Sequence, residues 1–192
     1  MIPYSGERHP TSGLTNVQLG TWLFVAIQVM LSASLISSHV LLSAGPQRRP
    51  DLLSGLVTAT TWISSLLIIV SWAALPRTGD TGSYRTGARL TTSAACAALF
   101  VIWRVVDFYL ARQAGALPWA DVLIGSWYVL VSLHVVYLLG GAVVASWQAI
   151  DDARSSDGQP GRQRSRFGGL RIYWGFVVIL WFAILVTLET SP

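Results

Sequence analysis

The chain has 192 residues, of which 53% are hydrophobic and only 11% are charged, and its mean hydropathy is +0.54. This balance excludes an ordinary soluble domain and indicates a single integral membrane domain. The net charge is +4, but all 13 basic residues are arginines and nearly all of them lie in tails, loops or segment ends. Their placement favours topology-setting charge over nucleic-acid binding.

The segment 21–44 contains no formal charge, and about 20 apolar residues are enough to cross a bilayer as a helix. Its polar side chains, including Gln28 and His39, are scattered singly instead of gathering on one face. In hydrocarbon such groups are expected to face other helices, and small residues four apart predict close approach of a neighbouring helix. These small residues are Ala33 with Ser37 and Ser34 with Ser38.

Four more apolar segments follow, so the sequence predicts an all-α integral membrane protein with a bundle of five transmembrane helices. Residues 1–19 are expected to form an uncleaved polar tail, and residues 20–190 a single membrane domain. Residues 151–171 have no apolar period and are predicted to be a mobile polar loop. The predicted helices cover about 21–44, 52–75, 90–110, 120–147 and 172–188.

Arginine placement predicts the orientation of the bundle. Five spans put the termini on opposite sides of the membrane, and cytoplasmic loops carry an excess of basic residues. The rule therefore predicts a multi-pass membrane protein with a cytoplasmic N-terminus and an external C-terminus. One side carries Arg8, Arg77, Arg85, Arg89, Arg154, Arg162, Arg164, Arg166 and Arg171, and the other carries Arg48, Arg49 and Arg112.

Two charged residues fall inside the third segment. Arg104 and Asp107 are three residues apart, so they share a helical face and are expected to neutralise one another. A structural ion pair is favoured over a proton relay, since a relay needs further titratable groups at graded depths, and Arg104 is close enough to the outer interface to snorkel. Of the two tryptophans in the second segment, Trp72 is predicted to be an interfacial anchor and Trp62 to be a packing residue.

The two histidines inside predicted spans, His39 and His134, raise the hypothesis of bis-histidine haem ligation. Their predicted heights differ by well over about 10 Å at 1.5 Å per residue, so one haem cannot easily use both. There is no His-x-x-x-His pair and no carboxylate cluster, and Cys96 is the single cysteine. The sequence therefore predicts no haem, metal or catalytic activity in this chain.

Taken in order, the five segments resemble subunit III of the haem-copper oxidases, in the short form that lacks the first two helices of the seven-helix version. The first segment, TWLFVAIQVMLSASL, is similar to that family's WLFLASEVMFFAGLF, and TTWISSLLI in the second is similar to its serine-rich helix. The third ends in IWRVVDFY, where the family has a pattern like Gln-x-x-Glu-Tyr. The fourth, SWYVLVSLHVVYLLGG, is similar to FFLLTGLHGLHVLGG, and the fifth, YWGFVVILWFAIL, to YWHFVDVVWLFLF.

The resemblance places Asp107 at the family's acidic position and His134 at its first histidine. Gln28 stands where the family has a membrane-embedded glutamate, and Tyr137 stands where it has a second histidine. Gly175 and Val178 likewise replace the histidine and aspartate of the last motif. The residues implied to make lipid or interior polar contacts are Gln28, His39, Arg104, Asp107, His134, Tyr137, Tyr173 and Trp174.

The family implies a non-catalytic accessory subunit of a cytochrome c oxidase type complex in aerobic respiratory electron transport. Haem and copper are expected in the partners, which are the catalytic subunit I and other membrane subunits, and bound phospholipid is implied as well. One alternative is the related accessory protein of nitric oxide reductases. A second is a stand-alone membrane scaffold or small transporter, although no proline interrupts any of the five segments.

Overall fold

The computed structural model describes residues 15–44, 51–76, 83–154 and 160–190, with side chains described for 15–44, 61–76, 86–151 and 166–190. All of its regular structure is helical, which agrees with the predicted all-α class. The five helices are α1 (Asn16–Ser43), α2 (Asp51–Ala74), α3 (Ser83–Gln113), α4 (Val122–Arg154) and α5 (Pro160–Thr190).

Four helices are long and apolar enough to cross a membrane, as judged by length and composition. They lie within α1, α3, α4 and α5, where the apolar spans run 16–43, 86–113, 122–151 and 166–190. The described apolar part of α2, Thr61–Ala74, is shorter. Four apolar helices of this length indicate a membrane-embedded protein.

Local sequence signals account for several helix ends. Thr15 begins α1 with a capping box, because its hydroxyl accepts from the Gln18 backbone N–H and the Gln18 side chain accepts from the Thr15 N–H. Gly115, with φ of +82°, follows the end of α3, and only glycine adopts this conformation without strain. The Asp121 carboxylate then accepts from the Leu123 N–H at 2.6 Å and caps the start of α4.

Side-chain contacts define the register of the bundle. α1 runs antiparallel to α4, because His39 contacts Ser126 near one end of α4 and Gln28 contacts Tyr137 further along. α4 in turn packs against α3 and α5, and α5 also packs against α1 and α2. α4 and α5 therefore occupy the centre of the described bundle.

Glycines allow the closest helix contacts. A Cβ built on Gly141 of α4 would lie 2.3 Å from the Trp174 ring of α5, so no larger residue fits without rearrangement. Gly168 and Gly169 of α5 meet α1 in the same way, at Gln18 and Thr21. These contacts follow the rule that small residues let helix backbones approach within a membrane.

The structure differs from the predicted loop at residues 151–171. Residues 151–154 continue α4, and α5 begins at Pro160, so the described part of this stretch is helical. Proline suits the first turn of a helix because its missing N–H has no helical partner there. Phe167 and Leu170 are buried, which shows that this end of α5 packs against the bundle despite its polar composition.

The small residues of α1 also differ from expectation. Ala33, Ser34, Ser37 and Ser38 are exposed, and no described helix of this chain covers them. The Ser34 and Ser38 hydroxyls donate to backbone carbonyls four residues earlier in α1, which satisfies them within the helix. The expected close neighbour is therefore absent from the described part of the chain.

Candidate functional site

The Arg104–Asp107 ion pair lies inside the bundle. An Arg104 nitrogen is 2.8 Å from an Asp107 oxygen, and both side chains are less than a tenth exposed. Arg104 also donates to the Ser64 hydroxyl of α2, and its guanidinium lies 5.5 Å from the ring centre of Phe100 and 5.2 Å from that of Trp181. The predicted snorkelling of Arg104 is wrong, because the ion pair, the serine and two aromatic rings stabilise the charge in the interior.

His134 is fully buried beside this ion pair. Its ring centre lies 5.5 Å from that of Phe100 and 5.1 Å from that of Trp181, so the imidazole and the Arg104 guanidinium pack against the same two aromatic side chains. Neither ring nitrogen has a hydrogen-bond partner among the described residues. His134 thus fills the core between α3, α4 and α5 chiefly by aromatic packing.

Serines of α2 join it to the helices on either side. The indole N–H of Trp174 donates to the Ser71 hydroxyl and that of Trp181 to the Ser65 hydroxyl, each at 2.9 Å. Ser71 in turn donates to the Ser93 carbonyl of α3 at 2.8 Å. Interhelical hydrogen bonds of this kind contribute about 0.6 kcal/mol on average in membrane proteins, so their effect here is collective.

Gln28 and the two tyrosines form a second polar cluster. The Tyr137 hydroxyl donates to the Gln28 side-chain oxygen at 2.6 Å, and the Tyr173 hydroxyl donates to the Tyr137 backbone carbonyl at 2.6 Å. Phe24 and Phe176 pack around these rings. The cluster therefore joins α1, α4 and α5, and Gln28 bonds a neighbouring helix, one of the two partners expected for it.

His39 lies apart from both clusters. Its Nδ1 is 2.7 Å from the Ser126 hydroxyl, and the ring is buried between α1 and α4. By the register of α1 and α4, His134 is level with Leu31, so the two histidines differ in height by about 12 Å. Among the described residues, no three His, Cys, Asp or Glu side chains are close enough to hold a metal ion.

A groove of about 520 Å³ opens between α1, α4 and α5 next to the Gln28 cluster. Its walls are mainly apolar and include Phe24, Val144 and Tyr173, while Arg166 and Gln148 line it as well. Arg166 forms an ion pair with Asp151 at the end of α4. The groove thus combines an apolar channel with a pair of opposite charges near the helix ends.

The sequence did not predict several of these contacts. Ser126 carries no motif that indicates its bond to His39, and the Arg166–Asp151 pair falls in the stretch predicted to be a loop. Arg166 and Asp151 are fifteen residues apart, a spacing that does not make two residues neighbours on one helix. Only the antiparallel packing of α4 and α5 brings them together.

The sequence matches no model of a known protein family, and comparison with curated protein sequences gives no match either.

Proposed function

We propose that this chain is a non-catalytic accessory subunit, similar to subunit III, of a haem-copper terminal oxidase in a bacterial cytoplasmic membrane. It stabilises the catalytic subunit, which carries the haem and copper, and has no turnover of its own. The proposal rests on the resemblance of the five apolar segments, taken in the same order, to subunit III.

The contact between Gln28 and Tyr137 supports this proposal best. These are two of the positions at which the chain departs from the family pattern, which has a glutamate and a histidine there. In this protein the two side chains, on different helices, lie within 2.6 Å of each other. The Gln28 amide and the Tyr137 phenol form a hydrogen bond here, and the family's glutamate and histidine could form one at the same two positions. The two substitutions together thus retain the capacity for a hydrogen bond between these helices.

In this proposal α2 is the fifth span, and the N-terminus is cytoplasmic. The antiparallel contacts of α2 with α5, through Ser65 and Ser71, support its alignment with the four longer helices. The arginine bias supports the orientation, because the ends that hold Arg89, Arg166 and Arg171 lie on the arginine-rich side.

The groove beside the Gln28 cluster is proposed to hold a phospholipid. Its apolar walls suit an acyl chain, and Arg166, which is paired with Asp151 but still 26% exposed, has further N–H donors for a phosphate near the proposed membrane surface. Gly140 borders the groove, and a Cβ there would have only the Tyr173 hydroxyl nearby, at 3.7 Å. Replacing Gly140 with leucine should therefore fill the groove and lower the amount of phospholipid that co-purifies with the complex.

Purification from native membranes tests the assignment. The chain, tagged at its C-terminus, is extracted in mild detergent, and the eluate is analysed by reduced-minus-oxidised optical spectroscopy and mass spectrometry. We expect a haem-copper catalytic subunit in equal amount, with haem bands absent from the separately purified chain. Deleting the gene should lower the yield of assembled oxidase.

Other outcomes identify the alternatives. Co-purification of a nitric oxide reductase would identify that enzyme, and not an oxidase, as the partner. A colourless chain that purifies alone, together with an unchanged oxidase yield in the deletion strain, would instead favour a stand-alone scaffold or transporter and contradict the proposal.

A further inference from the structure

The groove between α1, α4 and α5 has a polar end and an apolar end. Gln148 and Arg166 line it near the end of α4 and the start of α5, where Val17 also lines it from the first turn of α1. From there the groove extends along α5 to Tyr173, about 10 Å further into the bundle at 1.5 Å per residue. Its polar end therefore lies near the helix ends and its apolar part lies deeper.

The chain around the polar end of the groove is rich in arginine. Residues 151–171, which include the end of α4 and the start of α5, carry five arginines and three aspartates, so this stretch is net positive. Arg166 lines the groove, and although it pairs with Asp151 its side chain is still 26% exposed. A guanidinium has five N–H donors, so Arg166 can bind a phosphate oxygen while it remains bonded to Asp151.

Gln148 is a second polar group in the groove. It precedes Asp151 by one helical turn on α4, and Arg166 contacts the same Asp151 from α5, so Gln148 and Arg166 are neighbours. The Gln148 side-chain oxygen is buried and has no hydrogen-bond partner among the described residues. The last torsion of a glutamine side chain is broad, so a turn of the amide presents its N–H donors or its oxygen to a molecule in the groove.

We infer that the groove selects an anionic phospholipid over a zwitterionic one. This inference rests on the proposal that the groove holds a phospholipid, and it names the charge class of that lipid. The phosphate lies at Arg166 and Gln148, and an acyl chain lies along Phe24 and Tyr173. Basic pockets between membrane helices recognise anionic headgroups by the same chemistry.

The headgroup charge distinguishes the two lipid classes. Phosphatidylglycerol carries only the negative charge of its phosphate, whereas phosphatidylcholine and phosphatidylethanolamine also carry a positive ammonium group close to it. The excess of arginine over aspartate in residues 151–171 attracts the phosphate of all three lipids but repels the ammonium group of the last two. The groove therefore binds phosphatidylglycerol more tightly than a zwitterionic lipid with the same acyl chains.

Competition between lipids with identical acyl chains tests this selectivity. The full-length chain, purified in detergent, is mixed with equal amounts of dioleoyl phosphatidylglycerol, phosphatidylcholine and phosphatidylethanolamine, and native mass spectrometry counts the lipids that remain bound. We expect phosphatidylglycerol to be bound roughly fivefold more often than either zwitterionic lipid. Equal binding of the three lipids, or a preference for a zwitterionic one, would overturn the inference.

Variants of Arg166 test the source of the preference. Arg166→Gln removes the charge and should reduce the preference for phosphatidylglycerol, whereas Arg166→Lys keeps the charge and should retain it. Arg112→Gln is the control, because Arg112 is exposed near the end of α3, at the opposite end of the bundle, and should leave the preference unchanged. The same preference in wild type and Arg166→Gln, or an equal loss in Arg112→Gln, would contradict the role of Arg166.

A variant of the apolar part separates this inference from the phospholipid proposal. Gly140→Leu fills the groove without changing a charge, so it should lower the binding of all three lipids. If it does so but the wild type shows no preference among them, only the charge selectivity is wrong. If the wild type binds no phospholipid, or Gly140→Leu binds as much as the wild type, the groove is not the phospholipid site and both proposals about it fail.

Discussion

Tyr137 and Gln28 lie 109 residues apart in the sequence, yet the Tyr137 hydroxyl donates a 2.6 Å hydrogen bond to the Gln28 side-chain oxygen. The same tyrosine accepts at its backbone carbonyl from Tyr173. Tyr137 thus connects α1 with α5 through α4. An amide at position 28 does not titrate, so we expect this connection to be a fixed hydrogen bond without a role in proton transfer.

The first prediction concerns the energetic coupling of these two residues. Gln28→Leu and Tyr137→Phe should each lower the free energy of unfolding in detergent by about 1 kcal/mol. The double variant should lose little more than either single variant, because the two side chains share one interaction. Unfolding of all four proteins, followed by tryptophan fluorescence, measures the coupling, and strictly additive losses would contradict it.

Gln28→Leu also tests for proton transfer. At matched assembly, the turnover of the proposed oxidase complex and its pH dependence should equal those of the wild type, because an amide has no accessible titration. A selective loss of turnover at high pH would show that Gln28 lies on a proton path.

The second prediction concerns the buried ion pair. Asp107→Leu should lower the free energy of unfolding by several kcal/mol and so impair assembly strongly. The reason is that it leaves the Arg104 charge uncompensated in an apolar setting. The double variant Arg104→Leu/Asp107→Leu should be less impaired than Asp107→Leu alone. Arg112→Leu serves as the control, since Arg112 is exposed on the same helix and should change stability by less than about 0.5 kcal/mol.

Yield of folded protein after detergent extraction, with its thermal midpoint, compares these variants. Equal assembly of the Asp107 single variant and the double variant would mean that Arg104 is solvated in the complex, against the 4% exposure found here.

The third prediction compares two neighbouring glycines of α4. Gly141→Ala should destabilise the protein by about 1–3 kcal/mol, because the new methyl group would lie 2.3 Å from the Trp174 ring. Gly140→Ala should be neutral or slightly stabilising, because its nearest neighbour is 3.7 Å away and alanine favours helix. Thermal unfolding of both variants in detergent decides the matter, and equal midpoints would show that α4 and α5 pack less closely.

The fourth prediction concerns topology. In a Cys96→Ala background, a single cysteine at position 113 should react with a membrane-impermeant maleimide in intact cells. A cysteine at position 154, the last residue of α4, should react only after permeabilisation, because α4 separates the two positions by the depth of the bilayer. Labelling of position 154 from outside intact cells would reverse the orientation.

Much of the helical architecture could be predicted from the sequence, because membrane spans depend on length and apolar composition, which are local properties. The spans around α1, α3, α4 and α5 and the Arg104–Asp107 pair are of this kind, since their residues are contiguous or one turn apart. The boundaries were less accurate. Residues 160–171 are polar and lack an apolar period, yet α5 begins at Pro160, and Phe167, Gly168, Gly169 and Leu170 of this stretch pack against the bundle.

The side-chain partners required the tertiary structure. The sequence by itself determined that Gln28 and His39 need hydrogen-bond partners inside the protein, because unpaired polar groups are costly in hydrocarbon. It did not determine that Gln28 meets Tyr137, that His39 meets Ser126, or that Arg104 meets Ser64, because each contact joins residues from different helices. It also left open which apolar residues face inward, since in a membrane both faces of a helix are apolar. Only the packing of α2 against α3 and α5 decided that its serines point inward and Trp62 points out, because a helix can turn just one of its faces towards its neighbours.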